Sequence, residues 1–227
     1  MPALESAAMF GDLVTLIRRP LAGLNRIDRE RPLSLGMLAL ALSVLLPAGV
    51  AELGALGPYR RPSNLAALPS LTAQGTDIYA RWSYAHRFAL PVYGVLISLG
   101  LWVLAAAVIH AIARTLGGVG TFSGFFKLAG YVALVGLLAL PFGLLGAVAR
   151  LAGDARLEMG TSQLAGLVSL AIFLWQNVLL IYAARQHYAI STERAVAAVI
   201  GPIGGIAVLG LALVIVGAVL FVLSQSA

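Results

Sequence analysis

The chain has no cysteine, a single lysine and few charges of either sign, 11% of its 227 residues. Without cysteine there is no disulfide framework, no thiolate metal site and no Cys nucleophile. So little charge cannot solvate a soluble domain, which usually carries about a quarter charged residues. The acidic side is the scarcer, 9 Asp and Glu against 15 Lys and Arg, for a formal net charge of +6. The basic residues are scattered along loop flanks rather than gathered in a patch. That excludes a nucleic-acid footprint and fits anionic headgroups and topology signals instead. A cleavable leader is not expected either. Glu5, Asp12, Asp28 and Glu30 interrupt the first thirty residues, and no apolar stretch there precedes a small-residue cleavage site. The first spanning helix is therefore expected to act as its own insertion signal.

What fills the chain is apolar: 60% of residues are hydrophobic, and the mean hydropathy is +0.96. Five long runs cover about 33–56, 88–112, 125–149, 164–184 and 196–223. Crossing a bilayer core of about 30 Å takes roughly 20 helical residues, and backbone groups in lipid must be satisfied internally. The runs are continuous rather than alternating, which selects helices over a barrel. The expected fold class is all-α, a polytopic membrane bundle of five transmembrane helices preceded by an N-terminal interfacial amphipathic helix. Residues 1–31 form the expected cytoplasmic juxtamembrane segment, and residues 32–227 the five-helix membrane domain.

In the first segment Phe10, Leu13, Val14, Ile17, Leu21 and Leu24 recur at helical spacing, with Asp12, Thr15, Arg18 and Arg19 between them. Pro20 should interrupt this helix, because its ring removes a donor and clashes with the preceding turn. The segment is too polar to span and is expected along the interface. Orientation follows from basic residues by side. Arg18, Arg19, Arg26, Arg29, Arg31, Arg114, Lys127, Arg185 and Arg194 fall on one side. Arg60, Arg61, Arg81, Arg87, Arg150 and Arg156 fall on the other. The N terminus should be cytoplasmic and the C terminus outside. Near-exclusive use of Arg with abundant Ala and Gly points to a bacterial chain, hence to the cytoplasmic (inner) membrane.

Polar residues inside the spans are the candidate chemistry. Gln176 and Asn177 lie mid-way along the fourth, where exposed amides would be costly, so they should face other helices or a wet cavity. Glu52 sits about a turn and a half inside the first span and should reach the outer interface or an Arg. His110 and His187 flank spans on the same side and could approach each other, but no third ligand accompanies them, so no metal site is expected. Small residues mark close packing: Gly201 and Gly205 at G-x-x-x-G spacing on the fifth span, and Gly143 with Ala147 on the third. No catalytic residue and no cofactor is expected.

The most distinctive local stretch runs from Ile109 through Leu116-Gly117-Gly118-Val119-Gly120-Thr121-Phe122 to Phe126-Lys127-Leu128-Ala129-Gly130-Tyr131. Read physically, it is a compact reversal between antiparallel helices, with Thr121 or Ser123 capping the next helix. It also resembles the Yip-one domain family, five-span membrane proteins named for interaction with Ypt/Rab GTPases. A Gly-Gly-x-Gly-like turn, a following Ser/Thr-Phe, a Lys/Arg and a Gly-Tyr opening carry the likeness, and Arg19-Pro20 with Arg26-Ile27 is similar to that family's juxtamembrane entry. The resemblance implies a non-enzymatic protein that binds membrane partners or organises lipid, with Gly117, Gly118, Gly120, Phe122 and Lys127 as the partner-binding positions. The implied partners are the lipid bilayer and other membrane proteins or a second copy of the chain. The alternative is a small transporter or permeability protein built on Glu52, Gln176 and Asn177.

Overall fold

The computed structural model describes residues 2–59, 70–202 and 204. Every regular element among them is helical. Two short helices open the chain, α1 (Pro2–Arg18) and α2 (Pro20–Glu30), and α3 (Leu33–Ala55) makes the first membrane-length crossing. A shorter helix, α4 (Ser70–Ala85), precedes α5 (Ala89–Thr115). The next crossing is α6 (Phe122–Leu134), a 3-10 segment (Val135–Ala139) and α7 (Leu140–Leu151), followed by α8 (Ala155–Tyr188).

Four stretches are long and apolar enough to cross a bilayer: Leu33–Ala55, Ala89–Thr115, Phe122–Leu151 and Ala155–Tyr188. No more than 28% of the most apolar window of any of them is buried within the protein. Leu96, Leu101, Leu104, Leu167 and Leu170 are all exposed. Apolar surface on that scale is not left to water, and lipid is the solvent that accepts it. The fold is thus an all-α, multi-span membrane bundle with four membrane-length helices among the described residues. A further helix begins at residue 192 and is described through 202, so most of the expected fifth span, 196–223, lies outside the described residues.

Each break in the bundle has a local cause. Arg19 leaves the helical conformation (φ −140°, ψ 72°) and Pro20 opens α2, a position where its missing N–H costs nothing. The chain turns sharply there, and a Cβ on Gly23 would lie 2.9 Å from the Leu16 backbone. The 3-10 stretch ends just before Pro141, which cannot donate to the Leu137 carbonyl and crowds it. Glycine C-caps end α5 and α7. Gly117 (φ +92°) and Gly153 (φ +79°) take the left-handed conformation, and the N–H groups of Gly118 and Asp154 reach back to Ala113 and Ala149. Thr121 then caps α6 by accepting from the Gly124 N–H, and the Asp154 carboxylate caps α8 by accepting from Arg156 and Leu157.

Helix α3 lies along α6 and α7, running in the same direction. At one end Gly36 abuts Lys127 and Gly130; at the other Gly54 faces Ala147. These small residues let the backbones meet where no hydrophobic drive separates helix from lipid. Gly143, an expected packing glycine, also faces α3, with Val50 at 3.6 Å from where a Cβ would stand. At Gly201, also an expected packing glycine, no described atom lies within 4 Å of the Cβ position. Its companion Gly205 falls outside the described residues. Among the described residues Gly36 and Gly130 are the glycines at the closest helix crossing.

The apolar stripe of the N-terminal segment divides. Met9, Leu13 and Leu16 of α1 and Leu24 and Ile27 of α2 are buried in the bundle core, whereas Phe10, Val14 and Leu21 are exposed. Asp12, read as a polar position between apolar ones, is completely buried. It can be, because Arg26 and Arg31 share its carboxylate: Arg26 Nη2 bonds Oδ1, and Arg31 Nε donates to Oδ2 at 2.7 Å. A buried carboxylate is tolerable only with such pairing. The same bond holds the Arg31 guanidinium proton more firmly than usual.

Candidate functional site

The densest polar constellation forms where α2, the α5–α6 turn and the end of α8 meet, at the N-terminal end of the bundle. Its centre is the pair His187-Tyr188. Three glycines seat that pair, and each excludes a side chain for a stated reason. A Cβ on Gly118 would lie 2.8 Å from Tyr188 Cβ, and one on Gly120 would lie 2.6 Å from the His187 carbonyl oxygen. One on Gly124 would strike the His187 ring. The turn is pinned further by the Val119 N–H donating to the Tyr188 carbonyl at 3.1 Å. Arg114 donates to the Gly118 carbonyl, and Arg194 to that of Leu116.

His187 joins the three elements. Its Nδ1–H faces both oxygens of Asp28 on α2 at 3.2 Å. Its Nε2 meets Thr121 twice, within 3.1 Å of the backbone N–H and 2.9 Å of the carbonyl oxygen. A neutral ring accepts from that N–H and an imidazolium donates to that oxygen, so either charge state is satisfied. Lys127 closes the other side: Nζ donates to the carbonyls of Asp28 at 2.6 Å and Arg31 at 3.0 Å, and stands 3.9 Å from the Asp28 carboxylate. Beneath this polar layer the Tyr188 hydroxyl and His110 Nδ1 share a hydrogen bond of 2.8 Å. Phe125 packs on the Tyr188 ring, while Phe122 stacks on Phe126 and meets the edge of His110.

The hydrogen bond from His187 holds the Asp28 carboxyl below its ordinary value of 3.8; the charges of His187 and Lys127 add to this against the opposing effect of burial. A carboxylate with a lowered folded pKa contributes its stability fully above the unfolded value and loses it as pH falls through the folded one. Thermal unfolding in detergent should therefore show wild-type stability declining below about pH 4 and converging there with Asp28→Asn, which starts lower at neutral pH. Parallel pH profiles for the two proteins would show that this carboxylate does not hold α2 to the bundle.

The structure places the sequence-chosen positions as follows. Gly117, Gly118 and Gly120 form one turn, with Gly118 and Gly120 facing inward onto α8. Lys127 is buried beneath the N-terminal segment, and Phe122 and Val119 are exposed. Gln176 bridges to α6, its Nε2 donating to the carbonyls of Val132 and Ala133 at 3.2 Å each. That is where the α-helix passes into the 3-10 stretch and carbonyls lose their regular partners. Asn177 instead bonds its own helix at the Phe173 carbonyl, 2.8 Å away, and Glu52 is half-buried toward the far end of α3. Gln176→Leu should lower the unfolding midpoint by the equivalent of about 1 kcal/mol, and Asn177→Leu by less. An equal loss for both would deny the interhelical bridge.

The sequence alone assigns no contact role to Asp28, Gly124, Gly36, Gly130 or the buried Asp12. One signal was available: Gly120 and Gly124 share the G-x-x-x-G spacing. His110 and His187 do lie at the same end, each engaged separately. Among the described residues no group of three or more His, Cys, Asp or Glu could hold a metal ion.

The family profile described as the Yip1 domain matches residues 14–215. The chain belongs to the Yip1 domain family. No curated protein and no solved structure matches it. The Yip1 match runs from the last turn of α1 through the helix that begins at residue 192. Within this Yip1 domain the glycine turn is the piece that seats the end of α8, and Lys127 is the piece that binds the N-terminal segment to α6. It is an integral membrane protein in which a polar layer joins the helices at one end.

Proposed function

We propose that this Yip1-domain protein is a non-enzymatic membrane organiser, acting through lipid and through contacts with other membrane proteins or a second copy of itself. The observation that carries the reading is the N-terminal segment. It is tied to the bundle by Asp28 and Lys127, with Asp12 joining its two helices, yet it leaves Phe10, Val14 and Leu21 exposed beside Arg18 and Arg19. An apolar edge flanked by Arg suits a helix lying in the headgroup region. Residues 1–31 act as this interfacial segment, and residues 32–227 as a five-span membrane domain in a bacterial inner membrane. The N terminus is cytoplasmic and the C terminus outside, with Gly117, Gly118, Gly120, Phe122 and Lys127 forming the end that meets partners. Gln176 commits its amide to α6 carbonyls, which supports this reading over transport.

The test places photo-crosslinkers at Phe10, Val14 and Leu21 in the full chain within membranes. Lipid adducts at all three are expected, with few at Leu16. Reconstituted vesicles supply the opposing outcome: solute or ion flux abolished by Gln176→Leu would make the protein a transporter. Topology is checked separately. Reporters fused after Arg29 and at Ala227 are expected in opposite compartments, and the same compartment at both ends would remove the five-span arrangement.

A further inference from the structure

A cavity of about 600 Å³ opens at the far end of the bundle, where α3, α5, α7 and α8 end or begin beneath α4. Its size matches sites for small ligands. Its wall combines apolar Ala55, Leu90 and Pro91 with polar Tyr59, Ser83, Arg87 and Arg150 and the carboxylate of Glu158. Two of these polar groups lack partners. The hydroxyls of Tyr59 and Ser83 are buried and make no hydrogen bond, an arrangement native proteins rarely leave without a ligand or water to complete it.

The cations are held in place rather than dangling. Arg87 Nε donates to the Ala55 carbonyl and Nη1 to that of Tyr84, each at 3.0 Å, so one side chain caps both α3 and α4. Its guanidinium also lies over the rings of Tyr84 and Phe88, 4.2 Å and 4.6 Å from their centroids. Arg150 runs beside Gly57, where a Cβ would meet its Cγ at 2.9 Å, so only glycine leaves its path open. Its Nε makes a long ion pair with Glu158 at 3.9 Å, and its other N–H groups make no hydrogen bond to the described residues. Two arginines and two unpartnered hydroxyls on residues lining one pocket are the donor set for a phosphate, and they outnumber the single carboxylate there.

We infer that this cavity binds a phosphate group, with Arg87, Arg150, Tyr59 and Ser83 as its donors. The apolar wall of Leu90 and Pro91, continuous with lipid-facing helix, points to the phosphodiester of a phospholipid headgroup. This rests on the lipid-organising reading above and names the headgroup chemistry it uses.

The experiment uses the purified full chain in neutral detergent, with unfolding followed by temperature. The probes are dioleoylphosphatidylglycerol, inorganic phosphate, and uncharged dioleoylglycerol as the phosphate-free control. Phosphatidylglycerol should raise the midpoint saturably and dioleoylglycerol should not. Arg150→Gln and, independently, Ser83→Ala should each weaken the apparent affinity about tenfold, the effect of one lost charge-assisted hydrogen bond. Arg156→Gln, a neighbouring exposed arginine outside the cavity, should leave it unchanged. Saturable stabilisation by inorganic phosphate with the same variant pattern would keep the phosphate site and assign a free anion as its source. Equal affinities for wild type, Arg150→Gln and Ser83→Ala, or no saturable response to either phosphate probe, would overturn the site. Because lipid adducts at Phe10, Val14 and Leu21 are read elsewhere on the molecule, loss of the headgroup response with those adducts intact rejects this cavity alone.

Discussion

Replacing Gly130 by alanine should give the largest loss of stability of any single methyl added to this bundle. The new Cβ would fall on the Gly36 carbonyl oxygen, and a Cβ on Gly36 would in turn lie 2.6 Å from Lys127 Cα. Both neighbours are backbone, so no rotamer change relieves the overlap, and α3 and α6 must move apart along their most extensive contact. Overpacking of this kind costs about 1–3 kcal/mol, and Gly130→Ala and Gly36→Ala belong at the upper end. The movement would also loosen Lys127, whose ammonium holds the carbonyls of Asp28 and Arg31. The N-terminal segment should therefore become more accessible to protease before the spans unfold. The control is Gly94→Ala on α5, where no described atom lies within 4 Å and alanine is the better helix former. A detergent unfolding midpoint for Gly130→Ala equal to that of Gly94→Ala would remove the close crossing.

Asp12→Ala should be nearly as damaging, for an electrostatic reason. The carboxylate is fully buried while Arg26 and Arg31 keep side-chain exposures of 36% and 23%. Deleting it leaves two guanidiniums facing each other across an apolar interior. Removing one member of a buried ion pair costs about 3–5 kcal/mol. Partial exposure of the arginines lets water soften the effect, so the lower end, about 3 kcal/mol, is expected. Asp12→Asn keeps the shape and one acceptor and should recover part of the loss. The readout is the unfolding midpoint together with cleavage within α1. Neutral behaviour of Asp12→Ala would show that the N-terminal helices are held by their apolar residues alone.

These effects converge on one design. The N-terminal helices bury Met9, Leu13, Leu16, Leu24 and Ile27 in the core, and polar contacts add to that hold. Their attachment also relies on Asp12 within the segment, on Asp28 reaching His187, and on Lys127 reaching back from α6. Tyr188 and the glycine turn complete the layer by closing the gap between α5, α6 and α8.

What the sequence by itself determined was the solvent and the elements. Runs of membrane length with few charges can only be lipid-solvated helices, because hydrocarbon satisfies no backbone group. Turn chemistry was equally local. Pro20, Gly117, Thr121 and Asp154 act through their own φ angle or their nearest N–H groups, so their roles are legible without neighbours. The glycine-rich turn was legible as a reversal too, and its family likeness with it. What only the tertiary structure decided were the meetings of residues far apart in the chain. Gly36 against Gly130, Asp28 against His187, and Arg87 against the end of α3 depend on helix rotation and depth. In a uniformly apolar span hydropathy carries little information about either, since every face is acceptable to lipid. Gly201 shows the consequence. Its G-x-x-x-G spacing permits a close crossing, but whether a neighbouring backbone fills that space depends on how the helices pack. Asp12 shows the converse, a charge that reads as solvent-facing by spacing and is buried because two distant arginines arrive to meet it.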